Sequence, residues 1–187
     1  SDFNDFHAIL NSEKMAECFL SNGDIIELFN ENTRFLVAIK GSDSCGSNKI
    51  LLTRSLCINS NLFIGSRVSI RPFKNCPSAD TVVFAPIEDS VANITGPFNK
   101  ILNKVLKNLL GIPILKNFVV PVYALNRAIE FRAVILSPAS AVVIKDTEVV
   151  ACKNAPIPRY SKDDNHEEEN EEESIFNDVC FDDIGGF

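Results

Sequence analysis

The chain is broken into short apolar, β-branched runs that never last long enough to make a long helix. Asp24–Phe29, Arg34–Lys40, Lys49–Thr53, Arg67–Arg71 and Thr81–Ala85 are each five to seven residues long and bounded by Gly, Asn, Ser or Pro. Runs of that length between turn residues are strands. Five or six of them in 86 residues predict a small closed barrel, because closure removes the unpaired edges that an open sheet would expose. A short helix is expected over 13–20, with the Ser12 hydroxyl as its N-cap. With 45% hydrophobic residues in 187, the chain can bury a real core.

After Pro86 the period changes. Phe98, Ile101, Leu102, Val105, Leu106, Leu109 and Leu110 fall on one helical stripe, so an amphipathic helix is predicted over 97–110, with Pro97 at its first position and Gly111 as its stop. Strands resume at Asn117–Tyr123, Arg127–Leu136, Ala141–Ile144 and Glu148–Ala151. The expected fold is mainly β with short helices. A barrel subdomain occupies 1–86, a connector 87–96, a second β unit 97–160 and an acidic linker 161–187. That linker holds 11 acids and one base, leaving residues 1–160 with 17 bases against 14 acids. Such a body has no concentrated positive field with which to hold a nucleic-acid backbone. The stretch Ile175–Phe187 regains apolar residues, as a docking segment would, which implies that the chain continues.

Catalytic and metal motifs are weak. The six cysteines form no CxxC pair and read as free thiols in a reducing compartment, and only His7 and His166 are available as imidazole ligands, so no metal site is expected. Gly41–Lys49 begins like a phosphate-binding loop, but Ser47 and Asn48 precede the lysine and a strand pattern follows, so a Ser/Gly hairpin loop is expected. Cys18 with His7 is the obvious thiol–imidazole pairing, without a supporting motif. Glu88 and Asp89 are explained by a short helix capped by Asp89 or Ser90. No apolar run reaches the ~20 residues that span a bilayer, and no signal peptide is recognised at the start.

Several segments, taken in order, carry a resemblance. Phe181-Asp182-Asp183-Ile184-Gly185-Gly186 resembles the Y-D-D-I-G-G that introduces the first ATPase domain in the valosin-containing-protein family of AAA ATPases. Pro86-Ile87-Glu88-Asp89-Ser90-Val91, followed by Ile94-Thr95-Gly96, resembles P-I-D-D-T-V and I-T-G. Arg127-Ala128-Ile129-Glu130-Phe131 resembles R-A-V-E-F. Met15, Gly23-Asp24, Arg54, Asp146-Thr147 and Pro156-Ile157 fall at matching intervals.

The resemblance implies the family's amino-terminal domain, a double-psi β-barrel followed by a four-stranded β-barrel-like subdomain. It implies a non-enzymatic module that recruits adaptors (UBX domains, short helical peptides and strand-adding peptides), and through them ubiquitinated clients, as in ER-associated degradation. The parent protein would be a hexameric ATP hydrolase using ATP and Mg, while the fragment needs no cofactor and is monomeric. The expected compartment is the cytoplasm, with nuclear and ER-associated pools, or an organelle for a repurposed paralogue. Neither nucleic-acid binding nor direct membrane insertion is expected.

Carried over position by position, the adaptor cleft falls on His7, Ser21, Ile39, Gly41, Ser78 and Gly111, and the ATPase-facing side on Arg54 and Arg127. Only Ile39 keeps the apolar character the family prefers in the cleft, so altered or weakened partner choice is expected. Competing readings are an enzyme on a double-psi barrel and the equivalent domain of a membrane-fusion or peroxisomal AAA relative. Because Ser47 stands where a phosphate-loop lysine would, the fragment is expected neither to bind nor to hydrolyse ATP. Calorimetric micromolar binding that is lost on mutating Gly46 would contradict this.

Overall fold

The structure, a computed structural model, describes residues 5–152, 156–160 and 176–184. It is mainly β with a few short helices. The first unit comprises β1 (His7–Asn11), α1 (Ser12–Glu17), β2 (Ile25–Phe29), β3 (Arg34–Ser42), β4 (Lys49–Thr53), α2 (Arg54–Ser60) and β5 (Arg67–Pro72). Alternation along these strands sends Ile26, Leu28, Val37, Ile39, Ile50, Leu52, Val68 and Ile70 inward, each at most 1% exposed. Where burial alternates, as in β1 and β5, the pattern fixes register, while β2 and β3 are buried on both faces over Ile26–Leu28 and Phe35–Ile39. Helix α1 starts one residue earlier than expected. Its cap is Asn11, whose side-chain oxygen accepts from Lys14 N–H, and it ends at Glu17. Strand β1 and helix α2 have no counterpart in the sequence reading.

The sheet closes into a barrel in the order β1-β3-β2-β5-β12-β4. Its sixth strand, β12 (Phe176–Ile184), comes from the stretch assigned to the linker. It pairs antiparallel with β4 and parallel with β5. Strand β6 (Thr81–Pro86), assigned by sequence to the barrel subdomain, belongs instead to the second unit. There it lies between β11 (Glu148–Ala151) and β9 (Arg127–Ser137), with β8 (Val119–Ala124) beyond β9. A ribbon of β7 (Pro113–Leu115) and β10 (Ser140–Val142) completes that unit. The predicted helix over 97–110 is two short ones, α3 (Phe98–Leu102) and α4 (Leu106–Leu109). Between them Lys104 N–H donates to Ile101 O and Val105 N–H to Leu102 O. The apolar stripe survives the break: Leu102, Val105 and Leu109 are buried, while Leu110 is left 48% exposed. Asn99 Oδ1 accepts from Ala151 N–H of β11 at 2.7 Å.

One core runs through both units. Phe118, just before β8, stacks on Phe35 with centroids 6.4 Å apart and tilts against Phe6 at 5.9 Å. Beside it, the Asn59 amide of α2 treats Val119 as a strand partner would. Its Nδ2 donates to Val119 O at 2.9 Å and its Oδ1 accepts from Val119 N–H at 2.7 Å. The connector is a 3-10 turn, Glu88–Val91, with no side-chain cap. Asp89 and Ser90 are therefore not caps. Asp89 takes both Nε and Nη2 of Arg159, at 2.6 and 2.5 Å, and Arg159 also pairs with Glu130. That fork holds the Asp89 carboxyl below its usual range.

Removing the Asn59 amide leaves both backbone groups of Val119 without their partner. Asn59→Ala is expected to cost about 1–3 kcal/mol, read as a lower urea midpoint at unchanged slope.

Candidate functional site

Where the two units meet, a groove with a volume of about 650 Å³ opens. One wall is the turn from α1 into β2, carrying Phe19, Leu20, Gly23, Asp24 and Ile25. The other is the segment leaving β5, Pro72 to Cys76, and Val142 of β10 lines it from the second unit. The walls are held by backbone bonds. Leu20 N–H donates to Met15 O at 2.8 Å, Gly23 N–H to Ile39 O at 2.8 Å and Phe73 N–H to Ile25 O at 2.9 Å. Across the seam, Ala79 N–H donates to Val142 O and Val142 N–H to Pro77 O, both at 2.8 Å. The groove therefore has a fixed backbone, aromatic and aliphatic side chains, and one charge of each sign in Asp24 and Lys74. Sites for small apolar anchors have this composition.

Phe19 is the unusual residue. It follows the end of α1 with φ +58° and is 88% exposed. That is the position and conformation where helices place glycine, and a left-handed L-residue costs roughly 1–2 kcal/mol. Neither Phe19 nor Phe73 was singled out by sequence. The available signal was an aromatic within a punctuated connection, Pro72-Phe73-Lys74-Asn75-Cys76-Pro77, where there is no core to fill.

The cleft positions named by resemblance are distributed unevenly. Ser21 lies between the lining residues Leu20 and Gly23, exposed, its N–H on Asp24 Oδ2 at 2.8 Å. Gly41 N–H is held by Asn22 Oδ1 at 2.7 Å, and a Cβ there would meet Ser12 Oγ at 3.0 Å and Met15 Sδ at 3.1 Å. Ser78 is exposed and bridges to Val142. Gly111, at φ +79°, donates to Val143 O. None of these four is a lining residue of the groove: Ser21 and Ser78 adjoin it through Leu20 and Val142, while Gly41 and Gly111 are bonded to Asn22 and Val143, each one position beyond a lining residue. Ile39 does not line it, being fully buried inside the barrel; only its backbone reaches the wall.

His7 is on β1 and its Nδ1 meets Asp5 Oδ1 at 2.8 Å. Burial pushes the Cys18 thiol up, the opposite of an activated nucleophile. The 43–48 loop is not a hairpin: β3 and β4 both pair with β1, the loop crosses the end of β1 through Asn11 Nδ2–Cys45 O, 2.8 Å, and Lys49 opens a strand.

Arg54 is the exposed first residue of α2. Arg127 Nη2 donates to Ala92 O at 2.5 Å, tying β9 to the connector. Phe181–Ile184 lies in β12; Gly185 and Gly186 fall outside the described residues, as does most of the acidic run. Among the described residues, no helix is long and apolar enough to cross a membrane, and no three His, Cys, Asp or Glu side chains form a metal-holding group. No protein-family model matches the chain.

Asp5 accepts from the His7 ring and backbone and faces Lys40 Nζ at 3.3 Å. The His7 side-chain hydrogen bond, more than the Lys40 charge, lowers its pKa from 3.8 to about 2. A depressed carboxylate stabilises the fold above its unfolded value, and that stabilisation is lost as pH falls through the folded one. Asp5→Asn is therefore expected to flatten the acid limb of the melting-temperature profile between about pH 4 and pH 2. An unchanged acid limb would assign that limb to other carboxylates.

Proposed function

We propose that this chain is the adaptor-recruiting amino-terminal domain of a valosin-containing-protein-type AAA ATPase, and that its groove takes apolar loops or short peptides of UBX-type adaptors. The observation that carries the reading is how two resembling segments interlock. Ser90, from the P-I-D-D-T-V-like stretch, accepts from Glu130 N–H at 3.0 Å, and Glu130 belongs to the R-A-V-E-F-like stretch. Arg159 then clamps Asp89 and Glu130 together. These two motifs thus hold the connector and β9 together. For the barrel we propose the double-psi type. Its two parallel pairs, β1–β3 and β5–β12, sit opposite each other in the ring, which supports that choice.

On this reading the parent is a hexamer that hydrolyses ATP with Mg in domains beyond this chain, acting in the cytoplasm on ubiquitinated clients brought by adaptors. The side toward the first ATPase domain carries Arg54 and Arg127. Ile58 of α2, with Phe63 and Ile64 just beyond it, each more than half exposed, adds apolar area near Arg54.

In the groove, Phe19 takes the anchoring part left by Ser21 and Gly111. Tyrosine at Gly111 would restore the area only by forcing an L-residue into left-handed backbone, so Phe19 is the position to test. Phe19→Gly relieves strain while removing a ring whose burial against a partner is worth about 1.5–3 kcal/mol. Titrating a UBX domain is expected to show affinity reduced about tenfold or more in a variant that circular dichroism shows to be folded. No binding by the wild type, or equal binding by a folded Phe19→Gly, would sink the proposal.

A further inference from the structure

The barrel is closed by a strand from the far end of the described chain. Strand β12 is separated from β11 by 24 residues, longer than ordinary connections within a domain. It pairs with β4 over five positions, Phe176–Cys180 against Thr53–Lys49, whereas β4 meets its other neighbour, β1, at only two. On the opposite side it pairs with β5 over four positions, with a shift between Phe181 and Asp183. Lifting β12 out would leave the facing backbone groups of β4 and β5 as two open edges, and such edges template the addition of another strand. It would also uncover one side of the layer formed by Ile50, Leu52, Val68 and Ile70, each now at most 1% exposed.

The register is closed on both sides at the same residue, since Lys49 of β4 and Arg67 of β5 are both Cα partners of Cys180. In sequence the strand is preceded by 161–175, with eight acidic residues and one basic, a composition that buries little.

We propose that the space between β4 and β5 is a strand-accepting site whose occupant exchanges. Phe176–Ile184 fills it within its own chain, and the same segment of a second copy fills it reciprocally. Both copies carry the same strand and the same slot, so mutual exchange closes as a two-fold dimer with every edge paired. The tether raises the effective concentration of the chain's own strand, so the self-filled form dominates when dilute and the exchanged form grows with concentration.

The test uses the full chain carrying Leu51→Cys and Asp178→Cys, directly opposed positions of β4 and β12, at a spacing a disulfide accepts. Light and 15N-labelled chains are mixed, refolded at low and at high concentration, oxidised, and mapped by mass spectrometry. A 51–178 link within one chain when dilute, passing to mixed-isotope links in a dimer when concentrated, is the expected result. Absence of the link at any concentration would overturn the slot, and a link that always stays within one chain would overturn exchange. As a second measurement, Val179→Pro, opposite Ile50, breaks the strand's ladder. A peptide spanning 174–184 with Ser for Cys180 is expected to bind this variant at least tenfold more tightly than wild type and to raise its melting temperature. Equal binding to both, or a melting temperature untouched by Val179→Pro, would contradict the proposal.

Discussion

Everything about the groove depends on how the second unit is anchored to the barrel. Phe118 inserts its ring between Phe6 and Phe35, and the Asn59 amide saturates the adjoining backbone of Val119. The aromatic contact supplies buried area without direction. The amide supplies direction, because both of its hydrogen bonds are satisfied at only one offset of α2 along β8. Together they fix the two units as one body with a continuous core. Where Val142 approaches Pro72–Cys76 a cavity remains, its walls held by their own backbone bonds. If the groove binds partners as proposed, a fixed backbone of this kind lowers the ordering cost of binding.

The two ends of the connector are held by a different force. Arg159 grips Asp89 and Glu130, and Arg132 donates to the Arg159 carbonyl. These are partly exposed charges, so their value is in geometry more than in net stability. The bidentate fork to Asp89 fixes the direction of the 3-10 turn and leaves Ser90 aimed at the edge of β9. Phe19 shows the converse economy. It holds a strained backbone and exposes an aromatic ring, and local strain of that kind accumulates where function rather than folding selects the residue.

Most strands were legible because period two is a strong local signal: β4 and β11 match the predicted spans, and β2, β5 and β6 differ by a residue or so. What was illegible is long-range. Nothing in Thr81–Pro86 says which unit it joins; that is decided by pairing with β9, some 50 residues away. Nor does the acidic run announce that Phe176–Ile184 enters the barrel, although its regained apolar residues marked it as a segment made to dock. The break between α3 and α4, where i to i+3 bonds appear, leaves no mark on the apolar stripe, because Leu102, Val105 and Leu109 stay buried on it. At the groove, counting along motifs named none of the lining residues, although Ser21 and Ser78 neighbour them. It misjudged Ile39, since an apolar residue on a barrel strand faces either core or partner according to a parity set by its neighbours. Phe19 was hidden because the sequence does not tell an aromatic buried at a helix end from one displayed there, and it is 88% exposed.

The central claim is that the groove between the units is where partners bind. An amide chemical-shift titration of the 15N-labelled chain with a UBX domain tests it most directly. The account predicts that the largest perturbations fall on Phe19–Ile25, Phe73–Cys76 and Val142, with those around Tyr123 and Leu125 unmoved. Perturbations centred on a different face, or none at saturating UBX concentration, would contradict it.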